Sequence, residues 1–217
     1  MFSRTIIFSS CLIILGGCAS SYEPMPEVVD SPNIKPQKAM TPKVVKPKPK
    51  TVAIQRDFPQ DWLPPAEVEK QWKAIVIHHS ATECGNSAIF DRMHREHNHW
   101  EGVGYDFVIG NGSDSGDGEI EVTFRWKKQI AGAHCGGTPN NWANEDAVGI
   151  CLVGNFNYRR PSAKQMQSLL KLIRFLQDRY GISISQIYGH SDTPGARVTE
   201  CPGKMFPMDR LIRMLAS

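Results

Sequence analysis

A chain of 217 residues, 41% of them hydrophobic, is long enough for one domain with a sizeable core and additional sequence beside it. Its net charge of +3 is unevenly distributed: residues 1–56 hold eight Lys and Arg against three Asp and Glu, and residues 57–217 hold seventeen against nineteen. The part able to fold is therefore near neutral, which argues against a nucleic-acid-binding domain with basic residues gathered on its surface.

The first 17 residues have the pattern of a secretory signal peptide. Arg4 precedes an apolar stretch at 5–15, which is shorter than the roughly 20 residues that cross a bilayer as a helix. The following Leu15-Gly16-Gly17-Cys18 resembles the lipobox of bacterial lipoproteins, whose cysteine is acylated. We therefore expect removal of residues 1–17 and lipidation of Cys18. An ordinary signal peptide that contains a cysteine is the alternative.

Cys18 is followed by Ala19 and Ser20 and not by an acidic residue. By resemblance to bacterial lipoproteins, this predicts an exported protein that is anchored in the outer membrane and faces the periplasm. Residues 18–56 form a Pro- and Lys-rich stretch with few large apolar side chains and no periodicity. Such a composition predicts a disordered linker, which is either a passive spacer or a cationic tether attracted to anionic polymers.

Residues 57–217 alternate strand and helix signals. Short apolar or β-branched runs predict strands, and apolar positions at helical spacing predict helices. Ser162 and Gln165 form a capping-box pattern before the longest helix, and Gly181 predicts its end. The predicted strands are at 74–79, 105–110, 120–122, 147–154 and 186–189, and the helices are at 87–100, 162–181 and from 208 onward. This order predicts one α/β domain, a three-layer sandwich with a central mixed β-sheet flanked by helices.

Exported proteins use cysteines in disulfides or on metals. Cys84 and Cys135 either form a disulfide or remain two free thiols, and Cys151 lies in an apolar strand, which indicates an inert core thiol. Three histidines lie close together near the end of the first predicted helix: His94, His97 and His99. Because their spacing does not place all three on one face, we expect them on the solvated surface.

Other histidines and cysteines could hold a metal ion. His78 and His79 are neighbours in a strand, where side chains alternate between faces, so only one of them can point into a shared site. His190 lies at a predicted strand end, and Cys201 follows eleven residues later. Two histidines and one cysteine suit zinc with an open fourth position. Spacing alone is weak support, because no two of these ligands form a short local motif.

Six motifs occur in one order along nearly the whole predicted domain. They are IVIHHSAT at 75–82, VGYDFVI at 103–109, GAH at 132–134, VGICLVGNF at 148–156, GHSD at 189–192 and TECPG at 199–203. Together they resemble the zinc-dependent N-acetylmuramoyl-L-alanine amidases of the amidase-2 family, which includes phage enzymes and the peptidoglycan recognition proteins. The resemblance covers about residues 72–206.

The resemblance implies a specific set of site residues. By position, zinc is the cofactor and its ligands are His78, His190 and Cys201. Tyr105 and Thr199 are implied to act beside the metal as catalytic residues. Phage members carry Lys at the position of Thr199, whereas catalytic recognition proteins carry Thr, which donates a hydrogen bond but supplies no positive charge.

Further positions follow from the same resemblance. His79 falls outside the ligand set, in agreement with the alternation of strand side chains. His134 is implied to line the cleft and to contact substrate. Ser191 replaces the Arg that often follows the second histidine, and an extra residue precedes Trp100. Both departures concern substrate contacts and not the metal.

The resemblance implies a hydrolase that cleaves the amide bond between N-acetylmuramic acid and L-alanine in peptidoglycan. The alternative is a non-catalytic lipoprotein that binds peptidoglycan or tethers it. The expected partners are peptidoglycan or muropeptides and, through Cys18, the membrane, with no nucleic acid, and we expect a monomer. The substrate is either intact wall or released anhydromuropeptides, and no carboxylate is assigned to protonate the leaving amine.

Overall fold

The computed structural model describes residues 58–217. The predicted signal peptide at 1–17, the lipidation site Cys18 and the linker at 18–56 lie outside the described residues and stay predictions. Within residues 58–217 the strands are β1 Ala74–His79, β2 Phe107–Ile109, β3 Ile120–Val122, β4 Ala147–Leu152 and β5 Ile187–Gly189. The α-helices are α1 Ser87–Asn98, α2 Phe124–Lys128, α3 Trp142–Asp146, α4 Ala163–Tyr180 and α5 Met208–Ala216. Short 3-10 helices lie at Gln60–Trp62, Pro139–Asn141, Ile184–Gln186 and His190–Asp192.

The five strands form one mixed sheet in the order β3-β2-β4-β1-β5. β1 runs parallel to both β4 and β5, β2 runs parallel to β4, and β3 pairs antiparallel with β2. The register places His78 opposite Cys151 and Ile77 opposite Gly189. Because the carboxyl ends of parallel strands meet at one edge, the residues that end β1, β4 and β5 lie close together there.

One face of the sheet packs against α4 and α5. Ile75 and Ile77 of β1 share a buried cluster with Leu169 and Ile173 of α4 and Leu211 of α5. All five side chains are fully buried. Burying an aliphatic side chain of this size stabilises the fold by about 1.5–3 kcal/mol. Packing against α4 and α5 therefore fixes the position of β1.

The opposite face is covered by α1 and α3. Val76 of β1 clusters with Ala143 of α3, and Val108 of β2 clusters with Phe90 of α1. Helices therefore cover both faces of a mixed sheet. The predicted α/β three-layer sandwich is confirmed.

The longest helix, α4, begins and ends where its capping residues predict. The Ser162 hydroxyl accepts from the Gln165 N–H, and the Gln165 side chain accepts from the Ser162 N–H, which completes the capping box. Gly181 follows with a φ of 70°, in the left-handed region that glycine adopts without strain. Gln165 also donates from its amide to the carbonyl oxygens of Ile109 and Val153, which joins the start of the helix to the sheet.

Some elements differ from the prediction. The first helix ends at Asn98 and not near residue 100, because His99 has a left-handed φ of 56°. The strand predicted at 147–154 is shorter and ends at Leu152. α2 and α3, with five residues each, were not predicted, since so short a helix shows no periodicity.

The cysteines of the domain are buried or half-buried. Cys135 is a buried free thiol, so a disulfide with Cys84 is not formed. Cys151 is fully buried, and burial raises its pKa well above that of an ordinary thiol, as expected for an inert core residue. Along residues 58–217, no helix has the length and apolar character needed to span a membrane.

Candidate metal centre

Three potential metal ligands meet at the carboxyl edge of the parallel strands. His78 is the penultimate residue of β1, His190 directly follows β5, and Cys201 lies in the segment between β5 and α5. Because Ile77 pairs with Gly189, the two following histidines become neighbours, with ring centroids 4.6 Å apart. One ligand atom from each of the three residues lies within 4.8 Å of the others.

The thiol of Cys201 is held in place by backbone groups. The His79 N–H donates to its sulfur at 3.4 Å, and the Ser191 N–H donates to its carbonyl oxygen at 2.7 Å. Its Sγ lies 3.6 Å from Nδ1 of His78. The segment before α5 is thereby tied to the ends of both β1 and β5.

Burial sets the protonation of these groups. Desolvation lowers the pKa of His78 well below its ordinary value and lowers the pKa of His190 to about 4, so both imidazoles are neutral at neutral pH. The same burial raises the pKa of the Cys201 thiol to about 12. Neutral imidazoles are metal ligands as they stand, whereas a buried thiol becomes a thiolate when a bound cation compensates its charge.

The residues fit a tetrahedral metal such as zinc. Bonds of about 2.3 Å to sulfur and about 2.0 Å to nitrogen, at a tetrahedral angle, place the two ligand atoms roughly 3.5 Å apart. The separation of 3.6 Å between Cys201 Sγ and His78 Nδ1 matches this value. In addition, Nε2 of His190 is buried and has no hydrogen-bond partner within the described part of the chain. Two neutral histidines and one thiolate leave the fourth position open.

His79 does not belong to this set. Its Nδ1 accepts from the backbone N–H of Phe156 at 3.0 Å, and its ring lies 5.9 Å from the Phe156 ring. Phe156 belongs to the core beneath the sheet, together with Ile75 and Ile77. The alternation of side chains along β1 therefore sends His79 to the face opposite His78.

The two predicted catalytic residues lie near the ligand set. The half-buried Tyr105 has its ring centroid 5.3 Å from that of His78, and it packs against the buried cluster that contains Cys151. Thr199 precedes Cys201 by two residues, and its Oγ1 accepts from the Cys201 N–H at 3.2 Å. The structure thus brings both hydroxyl groups to the site, while their catalytic roles stay predictions.

His134 is not at the cleft surface, where it was expected to contact substrate. Its side chain is only 2% exposed, and its Nδ1 lies 3.0 Å from Nε2 of His78. Its Nε2 lies 3.3 Å from the carbonyl oxygen of Ala147. His134 therefore contacts the candidate ligand His78 from inside the domain and has almost no surface exposed to a bound molecule.

His94 also differs from the prediction. It was expected on the solvated surface with His97 and His99, which are indeed exposed, but His94 itself is buried. Its Nδ1 accepts from the Gly104 N–H at 3.0 Å, and its ring lies 5.7 Å from that of Tyr105. The signal that could have found it is Phe90, four residues earlier on the same buried face of α1.

Comparison with known proteins shows the family to which the chain belongs. The family model described as N-acetylmuramoyl-L-alanine amidase, Amidase_2, matches residues 68–204, which include the six site residues. The chain belongs to the Amidase_2 family. Its structure superposes on the N-acetylmuramoyl-L-alanine amidase LysC from Clostridium intestinale URNW with a TM-score of 0.57 and 32% identity, covering 67% of this chain and 86% of that one.

Curated relatives of this Amidase_2 domain include insect proteins. Peptidoglycan-recognition protein 2 of Holotrichia diomphalia is 29% identical over 140 residues, which are 58% of this chain and 68% of the relative. Peptidoglycan-recognition protein SC2 of Drosophila melanogaster is 31% identical over 137 residues, which are 59% of this chain and 66% of the relative. The family thus joins relatives named as amidases and relatives named as recognition proteins.

A cavity of about 300 Å³ lies where the segments after His190 and Cys201 meet Asn157, Phe206 and Met208, and none of the three candidate ligands lines it. Ser191 and Asp192 line it directly after His190, and Pro202 and Gly203 line it directly after Cys201. Its charged lining comes from Asp192, Glu200 and Lys204.

Proposed function

We propose that the protein is a zinc-dependent amidase that hydrolyses the bond between the lactyl group of N-acetylmuramic acid and L-alanine of the stem peptide. The observation that carries the proposal is the convergence of His78, His190 and Cys201, each with a ligand atom within 4.8 Å of the others. Membership of the Amidase_2 family and the likeness to LysC, which is named as an amidase of this specificity, support it.

The protein's own residues would divide the chemistry between them. His78, His190 and Cys201 would hold zinc, and two neutral imidazoles with one thiolate would leave it a net positive charge. Zinc bound here would act as a Lewis acid and activate water at neutral pH. The Tyr105 hydroxyl, whose ring packs 5.3 Å from that of His78, donates to the oxyanion as the carbonyl is attacked. The Thr199 hydroxyl, which accepts from the Cys201 N–H, would orient the water or the oxyanion.

Recognition without hydrolysis is the second candidate, because several curated relatives are named as peptidoglycan-recognition proteins. A binding module needs the cleft but has no need of a thiol among two buried histidines. Cys201 and the orphaned Nε2 of His190 favour hydrolysis, because a protein that only binds the wall gains nothing from these buried polar groups.

Digestion of peptidoglycan distinguishes the two candidates. Purified sacculi and soluble anhydromuropeptides are incubated with the protein, with and without a chelator, and the products are identified by mass. An amidase releases stem peptides with a free L-alanine amino group and leaves intact glycan, and chelation stops this release. Binding to sacculi with no released peptide would instead support recognition alone. The relative rates on the two substrates identify the preferred one.

We also propose that the protein is exported and anchored by lipid on Cys18, in the outer membrane with the domain facing the periplasm. The support is the sequence alone: the apolar stretch at 5–15, the lipobox pattern and the absence of an acidic residue after Cys18. Mass spectrometry of the mature protein tests this directly. A lipid-modified amino-terminal Cys18 is expected, and an unmodified protein that begins at another residue would contradict the proposal.

A further inference from the structure

His134 is a buried polar residue to which the proposed chemistry assigns no role. Its backbone is fixed, because the N–H groups of His134 and Cys135 both donate to Oδ1 of Asn144, at 2.8 Å and 2.9 Å. Asn144 belongs to α3 and is itself held by a bond from its Nδ2 to Oδ1 of Asn141 at 2.7 Å. One short helix therefore determines where the His134 ring lies.

Two glycines make room for that ring. A Cβ atom at Gly132 or at Gly149 would collide with Cδ2 of His134. Gly149 lies in the central strand β4, so the ring packs directly onto the backbone of the sheet. The hydrogen bonds to Asn144 fix the backbone of His134, and the two glycines leave its ring one place to pack. The ring therefore has a single orientation.

The hydrogen bonds of the ring assign its tautomer. Nε2 of His134 faces the carbonyl oxygen of Ala147 at 3.3 Å, and a carbonyl can only accept, so Nε2 carries the proton. Nδ1 of the neutral ring is then an acceptor. Its partner at 3.0 Å, Nε2 of His78, must therefore be the donor. The opposite assignment would set two lone pairs against each other at Ala147.

The same two hydrogen bonds determine which nitrogen of His78 is available to a metal. With the proton on Nε2, the lone pair of the neutral ring is on Nδ1, the nitrogen that lies 3.6 Å from Cys201 Sγ. Metal-binding histidines commonly hold their orientation and tautomer through a hydrogen bond at the second ring nitrogen. Here a buried histidine accepts that bond, where a carboxylate or a backbone carbonyl is more usual.

We propose that His134 is a positioning residue, which accepts from Nε2 of His78 and thereby presents Nδ1 of His78 to the metal. The inference rests on the proposed zinc site and assigns His134 to metal binding and not to substrate. A hydrogen bond at this place contributes to affinity, because without it His78 loses both a fixed ring angle and a fixed tautomer.

A matched pair of substitutions tests this. His134→Asn and His134→Leu have side chains of nearly the same size and shape, and both remove the bond to Ala147, but only Asn keeps an acceptor near the position of Nδ1. Zinc affinity is measured on the full chain by competition with a chelating dye. We expect the Leu variant to lose about 10- to 100-fold in affinity and the Asn variant to stay close to the wild type.

Equal affinities in both variants, whether both normal or both reduced alike, would overturn the inference, because the acceptor would then make no difference. Wild-type protein that binds no zinc would instead refute the proposed function on which the inference rests. If the Leu variant does not fold, the tautomers are read from the wild type by ¹⁵N–¹H correlation of its histidine rings. A proton on Nε2 of both His78 and His134 is expected, and a proton on Nδ1 of His134 would overturn the inference.

Discussion

The carboxyl group of Asp106 is fully buried. Its ionisation should therefore lower the stability of the folded protein. Oδ2 accepts from the Gly149 N–H at 2.8 Å, whereas Oδ1 has no hydrogen-bond partner among residues 58–217. Burial raises the pKa of Asp106 from 3.8 to about 7, and the charges of Lys70 and Arg125 offset only part of this effect. Between about pH 4 and pH 7, the Asp106 carboxyl group is therefore largely neutral in the folded protein but ionised in the unfolded chain.

The shift corresponds to a dependence of stability on pH. A rise from 3.8 to about 7, at about 1.4 kcal/mol per pKa unit, amounts to about 4 kcal/mol. Because the folded pKa is the higher one, this contribution is complete below pH 4. It is lost as the pH rises through the interval from about 4 to about 7. Asp106→Asn keeps an acceptor for Gly149 but cannot ionise, so the variant lacks this dependence.

Urea unfolding of both proteins between pH 4 and pH 8, in the presence of a chelator, measures the effect. The free energy of unfolding of the wild type, relative to that of Asp106→Asn, should fall by about 4 kcal/mol across this range. Effects of other titrating groups cancel in the difference. If the two proteins have parallel pH profiles, the pKa of Asp106 is not raised in the folded state and the reasoning is wrong.

Three further substitutions separate catalysis, metal binding and folding. Tyr105→Phe should keep the zinc content but lower the rate of peptide release by about 10²- to 10³-fold, the loss typical of one oxyanion donor; an unchanged rate would exclude that role. His79→Ala removes the acceptor for the Phe156 N–H and should lower stability by about 1–3 kcal/mol with zinc content unchanged, and lost zinc would count against its exclusion from the ligand set. Ser162→Ala removes the capping box of α4 and should cost about 1 kcal/mol in urea unfolding without altering activity; equal stability would contradict it.

Local signals were enough to predict the main elements of the fold. β1 and β4 are six-residue, fully buried runs, and α4 has a capping box, an apolar stripe and a terminal glycine. The short helices α2 and α3 carry no such signal, because five residues make little more than one turn. Yet α3 supplies Asn144, which clamps His134, so an element invisible in the sequence pattern supports the site.

The site could be predicted only in part from residue spacing. His78 and His190 are far apart in sequence and become neighbours through the parallel pairing of β1 with β5, which spacing does not reveal. The ordered motifs predicted both as ligands where spacing could not. Alternation along β1 correctly separated His79 from His78. The burial of His134 depends on the close approach of Gly149 in β4 and on a hydrogen bond to Asn144 in α3, and the sequence pattern shows neither contact.

The most direct test of the account is the release of stem peptide from purified peptidoglycan by Cys201→Ser, with Cys135→Ser as the matched control. Cys135 is buried and Cys201 is half-buried, but only Cys201 belongs to the candidate ligand set. We predict that Cys201→Ser releases no peptide with a free L-alanine amino group, while Cys135→Ser and the wild type release it in a zinc-dependent manner. Peptide release by Cys201→Ser at the wild-type rate would contradict the central claim.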